Sequence, residues 1–328
     1  MNRFAFVFVA MLASVPAAAQ EVRLAVIVGL AGEPEHRELF QRWASTLVDT
    51  ASGRLGVARD HIVYLTEQPE QDAKRATGKS TKQEIDAAFG RMAKAAKEDD
   101  VVFVVLIGHG TFDGKVAKFN LPGPDMTPAD FAPLLKSLPS KHVVFVNTAS
   151  ASAPFLAELS GPGRTIVTAT RTGAERFATL FGGQFIDALT SDAADADKNR
   201  RISVLEAFTA ARLGVARVYE QQGIMLTEHP LLDDSGDKEG TTDPKPDGKN
   251  GRVAAILSLG TPASADPVPD DPKLRTLYEE RRALERRVEG LKLLKPGMEP
   301  AKYAADLEAL LIALATKSRQ IRDLEGKK

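Results

Sequence analysis

Two short apolar segments constrain the fold of this chain more than any other feature. Residues 101–107 form a continuous run of valine, phenylalanine, leucine and isoleucine that leads into residues 108–110, Gly-His-Gly. Residues 143–146 form a second run that leads into residues 147–150, Asn-Thr-Ala-Ser. Such runs are typical of parallel strands buried on both faces. In open α/β sheets, functional groups collect beyond the carboxyl ends of the strands, so chemistry is expected where these two segments end.

The rest of the chain alternates between strand-like and helix-like patterns. Strands are predicted at 22–30, 61–65, 101–107, 143–146 and 164–170, with an edge strand at 253–257. Helices are predicted at 35–53, 80–97, 127–138, 155–159, 177–190 and 204–221. This alternation predicts an α/β fold, in which a mainly parallel sheet carries helices on both faces.

The first 19 residues have the pattern of a secretory signal peptide. A short positive segment precedes an apolar run from Phe4 to Val15, and three alanines follow at the expected cleavage positions. The apolar run is shorter than the roughly 20 residues of a membrane-spanning helix. We therefore expect export to the periplasm or envelope of a bacterium; an uncleaved membrane anchor is the alternative.

Composition excludes several classes of function. The chain of 328 residues contains no cysteine, so it uses no disulfides and cannot be a cysteine hydrolase. Its formal net charge is -1, which gives no bulk electrostatic reason to bind nucleic acid. The expected partner is a protein or a peptide.

The C-terminal part differs in character from the predicted domain of residues 20–260. Residues 261–271 contain three prolines and are predicted to be a linker. Residues 272–328 carry leucines at heptad-like spacing on both sides of a Pro-Gly turn, which predicts a helical hairpin or coiled coil. The hairpin either packs on itself and the main domain or forms a docking or dimerisation surface.

His109 and Ser150 are the candidate catalytic residues. Flanking glycines allow close approach to the His109 imidazole, and small residues after the second apolar run indicate a tight turn over a site. Ser150 or Ser152 would be a nucleophile if a histidine lay within hydrogen-bonding distance. The alternative is that the small residues only allow tight packing.

Residues 195–206 match the ligand spacing of a calcium-binding loop. Oxygen donors fall at positions 1, 3, 5, 9 and 12, with a backbone carbonyl at position 7. The candidate ligands are Asp195, Asp197, Asn199, Arg201 through its carbonyl, Ser203 and Glu206. Position 6, where glycine is usual, is Arg200, for which the required turn is unfavourable. The alternative is a solvated acidic loop in which Ser203 only caps the next helix.

A second acidic segment, residues 228–237, is harder to interpret. Its carboxylates fit no metal-ligand spacing, so a solvated turn is favoured over a second cation site. His229 either lines the site or holds this segment in place. Residues 233–251 are rich in Asp, Lys, Gly and Pro, which predicts a mobile loop.

Together these motifs resemble a known family. Residues 108–110, 119–123, 147–150, 168–170, 195–206 and 228–234 are similar to motifs of the caspase-like fold, nearest to the legumain (C13-type) and bacterial caspase-like peptidases. The resemblance covers roughly residues 22–257 and implies that His109 is the family histidine.

The resemblance also implies that the nucleophile has been lost. The family cysteine stands third in a strand-end Asp-Ala-Cys pattern, and the corresponding residue here is Ala149. A shift of one residue would instead place Ser150 at that position. The first hypothesis is therefore a non-catalytic caspase-like binding protein. The alternatives are a hydrolase that uses Ser150 and His109, and a calcium-dependent regulatory module.

Overall fold

The computed structural model describes residues 21–260, 271–295 and 298–326. The predicted signal peptide and almost all of the predicted linker lie outside these residues. A seven-stranded sheet forms the centre of the main domain, in the order β3-β2-β1-β4-β7-β8-β9. Its strands are β1 (Val22–Val28), β2 (Ile62–Thr66), β3 (Gly78–Lys79), β4 (Val101–Ile107), β7 (His142–Asn147), β8 (Arg164–Thr168) and β9 (Leu231–Asp233). A separate hairpin consists of β5 (Gly110–Phe112) and β6 (Ala117–Phe119).

All neighbouring strands of the sheet are parallel except β8 and β9, which are antiparallel. The helices are α1 (Pro34–Ser52), α2 (Lys82–Ala95), α3 (Pro128–Ser137), α4 (Ala153–Leu159), α5 (Phe181–Thr190) and α6 (Val204–Gln222). The predicted α/β class is confirmed, and the layout is consistent with a caspase-like sheet.

Both faces of the sheet are covered by helices. In β4, alternate side chains point in opposite directions, so Phe103 and Val105 join one apolar cluster while Val102 and Val104 join the other. The first cluster includes residues of α1, α5 and α6, and the second includes residues of α2, α3 and α4. This double burial explains why the sequence of β4 has no polar positions.

The predicted edge strand at 253–257 is wrong. These residues form a turn, and the edge of the sheet is β9 instead. The carbonyls of Leu257 and Ala254 accept hydrogen bonds from the amides of Val204 and Leu205 at 2.8 and 3.0 Å. The segment thus satisfies amides at the start of α6 that have no partner within the helix.

Residues 233–251, predicted to be a mobile loop, are held by the hydrogen bonds of half-buried Asp234 and buried Asn250. Asp234 accepts hydrogen bonds from the amides of Gly251 and Ala254 at 2.7 and 2.8 Å. The Asn250 amide group donates to the carbonyl of Glu239 at 2.9 Å. These bonds tie the two ends of the loop together, which its composition does not reveal.

The C-terminal residues form two helices, α7 (Pro272–Leu294) and α8 (Pro300–Glu325). Leu274, Tyr278 and Ile321 are buried between them, and the Tyr278 hydroxyl donates to Glu325 at 2.6 Å. This is the hairpin that the heptad-like spacing predicts. Among the residues that the structure describes, no helix is long and apolar enough to span a membrane.

Candidate functional site

The candidate site lies where β4 and β7 end side by side. Leu106 of β4 pairs with Asn147 of β7, so the segments that follow leave the sheet together. The fit between them is tight, because a Cβ atom at Gly110 would lie 2.2 Å from the carbonyl oxygen of Ser150. Only glycine fits at position 110, and the two segments are therefore held at a fixed separation.

His109 is half-buried against α1. Its ring lies 4.6 Å from that of His36 and 5.1 Å from that of Phe40, measured between ring centroids. Burial lowers the pKa of His109 below its usual value, and the neighbouring His36 lowers it further. A hydrogen bond to the backbone of Ala31 opposes these effects on the pKa. The imidazole is therefore neutral near pH 7.

Ser150 is bonded to the backbone of the neighbouring segment. Its hydroxyl donates to the carbonyl of Gly110 at 3.0 Å and accepts from the amide of Gly110 at 3.3 Å. Within the described residues, no hydrogen bond joins Ser150 to His109. A nucleophilic serine needs a base that accepts its proton, whereas this proton goes to a carbonyl.

Ala149 packs among residues of α2, α3 and α4, whereas the His109 ring packs against α1. Ala149 is 1% exposed and belongs to the apolar cluster of α2, α3 and α4. The preceding residue, Thr148, contacts the helix start at Gly182. The hydroxyl of Thr148 donates to the carbonyl of Leu106 at 2.8 Å, so it also has its partner in the backbone.

Residues 171–180, which we call the covering loop, lie over this turn. The carbonyl of Glu175 accepts from the amide of Ala151 at 2.8 Å, and the hydroxyl of Thr179 donates to the carbonyl of Thr148 at 2.5 Å. Gly173 lies against the ring of Phe112, where a Cβ atom would be 2.7 Å from the nearest ring carbon. The loop thus contacts both the segment that follows β7 and the β5–β6 hairpin.

A histidine–carboxylate pair holds the covering loop in place. His229 Nδ1 lies 2.8 Å from Glu175 Oε1, and the amide of His229 donates to Glu175 Oε2 at 3.1 Å. Of the two roles predicted for His229, the structure assigns it the structural one. Glu175 could not be found from the sequence, because it lies in an irregular segment without a motif.

Glu228 caps the start of α5. It is 3% exposed, and its carboxyl accepts hydrogen bonds from the amides of Leu180 and Phe181. Burial raises the pKa of Glu228 to about 7, the two amides lower it, and the nearby Glu175 raises it. This cap explains why α5 begins at Phe181 and not at 177 as predicted.

Asp233, in the second acidic segment, has a structural role. It is fully buried and accepts hydrogen bonds from the Ser160 hydroxyl and from the amides of Ser235 and Gly236. With its oxygens bonded to protein donors, this carboxylate closes a turn at the end of β9.

The acidic loop at 195–206 brings three carboxylates together. Oxygen atoms of Asp195, Asp197 and Glu206 all lie within 4.8 Å of one another, close enough to hold a metal ion. Burial raises the pKa of Asp197, and the charges of Glu206 and Asp195 raise it further. Such mutual repulsion is relieved when a cation binds.

The backbone of this loop makes the turn that glycine usually makes. Arg200 has a φ angle of +66°, in the left-handed region, as position 6 of a calcium-binding loop requires. Its amide donates to Asp195 Oδ2 at 2.9 Å. The unfavourable conformation predicted for Arg200 is therefore present, at a cost on the order of 1 kcal/mol.

The side chains of the other predicted ligands are hydrogen-bonded to other groups of the protein. Asn199 Oδ1 accepts from the amide of Arg201 at 2.8 Å, and the Arg201 guanidinium donates to Ser258. Ser203 caps α6 in a reciprocal capping box: its hydroxyl accepts from the amide of Glu206 at 3.2 Å, and Glu206 Oε2 accepts from the amide of Ser203 at 2.8 Å. The structure supports both interpretations of the loop, as a calcium-binding loop and as a helix cap. Glu206 takes part in both the capping box and the carboxylate cluster.

A cavity of about 890 Å³ lies beside the acidic loop. Its lining includes Asp197 and Glu206, together with Arg252 and Tyr303. An ion could therefore reach the carboxylates from this side.

Comparison with known proteins gives no assignment. No model of a known protein family matches this chain, and no curated protein matches it.

Replacing Glu228 with Gln should change how stability depends on pH. The raised pKa means that the folded protein keeps this proton while the unfolded chain loses it, so stability is full below about pH 4.5 and falls as pH rises to about 7. The loss should be on the order of 3 kcal/mol. Urea unfolding of Glu228→Gln across this range should show a flatter decline. Glu220→Gln, at an exposed position of α6, is the control; equal slopes for wild type and Glu228→Gln would contradict the assignment.

Proposed function

We propose that this chain is a non-catalytic, caspase-like binding protein of the bacterial envelope. One observation carries the proposal: the imidazole of His109 lies beside a turn that presents no nucleophile to it. Ala149, at the position of the family cysteine, is buried among residues of α2, α3 and α4, and Ser150 is bonded to Gly110. The envelope location rests on the signal-peptide pattern of the first 19 residues.

The covering loop favours a peptide with apolar side chains as the partner. Phe177 is 73% exposed and Leu180 is 37% exposed, although both are in the segment that lies over the site. The loop's backbone is fixed by Glu175 and Thr179, so these side chains are presented on a held segment. A pre-ordered loop loses less conformational entropy when a partner binds.

The proposal predicts that the protein does not hydrolyse peptides. Purified wild type, His109→Ala and Ser150→Ala should release fluorophore from a mixed peptide-substrate library at the same background rate. The reason is that the Ser150 hydroxyl is bonded to Gly110 and not to His109. Hydrolysis by wild type that is lost in both variants would contradict the proposal and establish a serine mechanism.

We further propose that the loop at 195–206 binds Ca²⁺ as a structural ion. The three carboxylates, the left-handed turn at Arg200 and the helix that starts at position 10 support a calcium-binding loop. Hard oxygen ligands favour calcium over the softer transition metals. When bound, the ion would neutralise the carboxylates and fix the start of α6. A regulatory effect on α6 is the wider form of this proposal.

Calcium should raise the melting temperature of the wild-type protein after treatment with a chelator. At a calcium concentration of about 100 times Kd, binding contributes about 2.7 kcal/mol of stability. Asp197→Asn should abolish most of the shift, because it removes one negative ligand while leaving the capping box of Ser203 and Glu206 intact.

Asp192→Asn is the matched control for that experiment. Its carboxylate lies just before the loop, is highly exposed and pairs with Arg54. The calcium shift of this variant should equal that of wild type. A wild-type protein whose melting temperature does not respond to calcium would overturn the calcium proposal and leave the binding-protein proposal untouched.

A further inference from the structure

Helix α8 has an exposed apolar surface on the side away from α7. Leu311 is 47% exposed and Ile312 is 61% exposed. They line a shallow groove of about 480 Å³ together with Ala304 and Ala315. Positions 304, 308, 311, 312, 315 and 319 lie within one stripe of a helix with 3.6 residues per turn. We call this the α8 stripe.

The hairpin itself leaves the α8 stripe uncovered. Contact with α7 is made by the opposite side of α8, where Ile321 is buried against Leu274 and Tyr278. A two-helix hairpin can bury only one side of each helix, so a second apolar side needs another partner.

The charges at the ends of the stripe are arranged for self-association. Glu308 lies on the N-terminal side of Leu311 and Ile312, and Arg319 lies on the C-terminal side. Both are exposed, and neither makes an ion pair within the described part of the chain. Glu308 and Arg319 are eleven residues apart, about three helical turns, so they point in nearly the same direction.

We propose that the α8 stripe binds the α8 stripe of a second copy of this chain, with the two helices antiparallel. A two-fold axis between Leu311 and Ile312 places the Leu311 of each copy opposite Ile312 of the other. Ala315 then lies opposite Glu308, and the small alanine side chain lets the helices approach closely at that point. The two hairpins together form a four-helix bundle.

The charges select the antiparallel arrangement. In a parallel pair, Glu308 would face Glu308 and Arg319 would face Arg319, which is repulsive. In the antiparallel pair, Glu308 lies one helical turn, about 6 Å along the axis, from Arg319 of the second copy. The long arginine side chain spans that distance, and symmetry creates the ion pair twice. This self-complementarity favours a second copy over an unrelated protein.

The proposal goes beyond the binding function of the main domain and depends on neither its site nor calcium.

The absence of cysteine allows a direct test by crosslinking. Ile312→Cys gives the full chain a single thiol close to the two-fold axis, and a short bis-maleimide should join two copies in high yield. Glu279→Cys, at an exposed position of α7, is the matched control and should remain mostly monomeric. Equal yields from the two variants would overturn the proposed interface.

Charge reversal tests the register of the pair. In sedimentation equilibrium over a concentration series, wild type should populate a dimer. Glu308→Arg and Arg319→Glu should each weaken the dimer about tenfold, because two attractive pairs become repulsive. The double variant should return to near the wild-type Kd, whereas Glu279→Arg should have no effect. A monomeric wild type, or a double variant that stays as weak as the single ones, would overturn the proposal.

Discussion

The hydrogen-bonded contact between Gly110 and Ser150 determines what this site can do. Strands β4 and β7 are neighbours in a parallel sheet, so the segments that follow them leave the same edge together. The Ser150 hydroxyl bonds both the carbonyl and the amide of Gly110, and no side chain larger than hydrogen fits at position 110. The hydrogen bonds that join the two segments therefore involve the same Ser150 hydroxyl that a serine hydrolase would need as its nucleophile.

The structure around this contact is built for rigidity. The covering loop is bonded to the β7 exit through Glu175 and Thr179, and Glu175 is bonded in turn to His229. Glu228, next in the chain to His229, fixes the start of α5. One short segment thus connects the loop to a core helix. Phe177 is exposed on the covering loop that these bonds fix.

Much of the fold followed from the sequence because the central strands are buried on both faces. Their apolar runs admit no polar residue, which makes them easy to distinguish from helices and loops. The prediction of an edge strand at 253–257 is wrong because this segment packs at the start of α6. A short apolar run has the same local pattern whether it packs against a helix or forms an edge strand. The sequence does not predict the hydrogen bonds that fix residues 233–251, because Asp234 and Asn250 bond to backbone groups distant in the chain.

The candidate site was only partly predictable. Glycines on either side of His109 and the spacing of Asp195, Asp197 and Glu206 are local signals, and the structure brings these carboxylates together. Contacts between distant segments leave no such signal. His36, which lies against His109, comes from α1, and Glu175 comes from an irregular loop. Only the folded chain shows that Ala149 packs with α2, α3 and α4 while His109 packs against α1.

The pKa of His109 tests the central claim, that its imidazole is isolated from any nucleophilic hydroxyl. The measurement is an NMR titration of the imidazole signals, with the His109 resonance assigned by its loss in His109→Gln. The account predicts a pKa below 6.5 in wild type, the same value in Ser150→Ala, and a higher value in His36→Gln, where the neighbouring imidazole is gone. A pKa that moves in Ser150→Ala would place the hydroxyl on the imidazole and contradict the account.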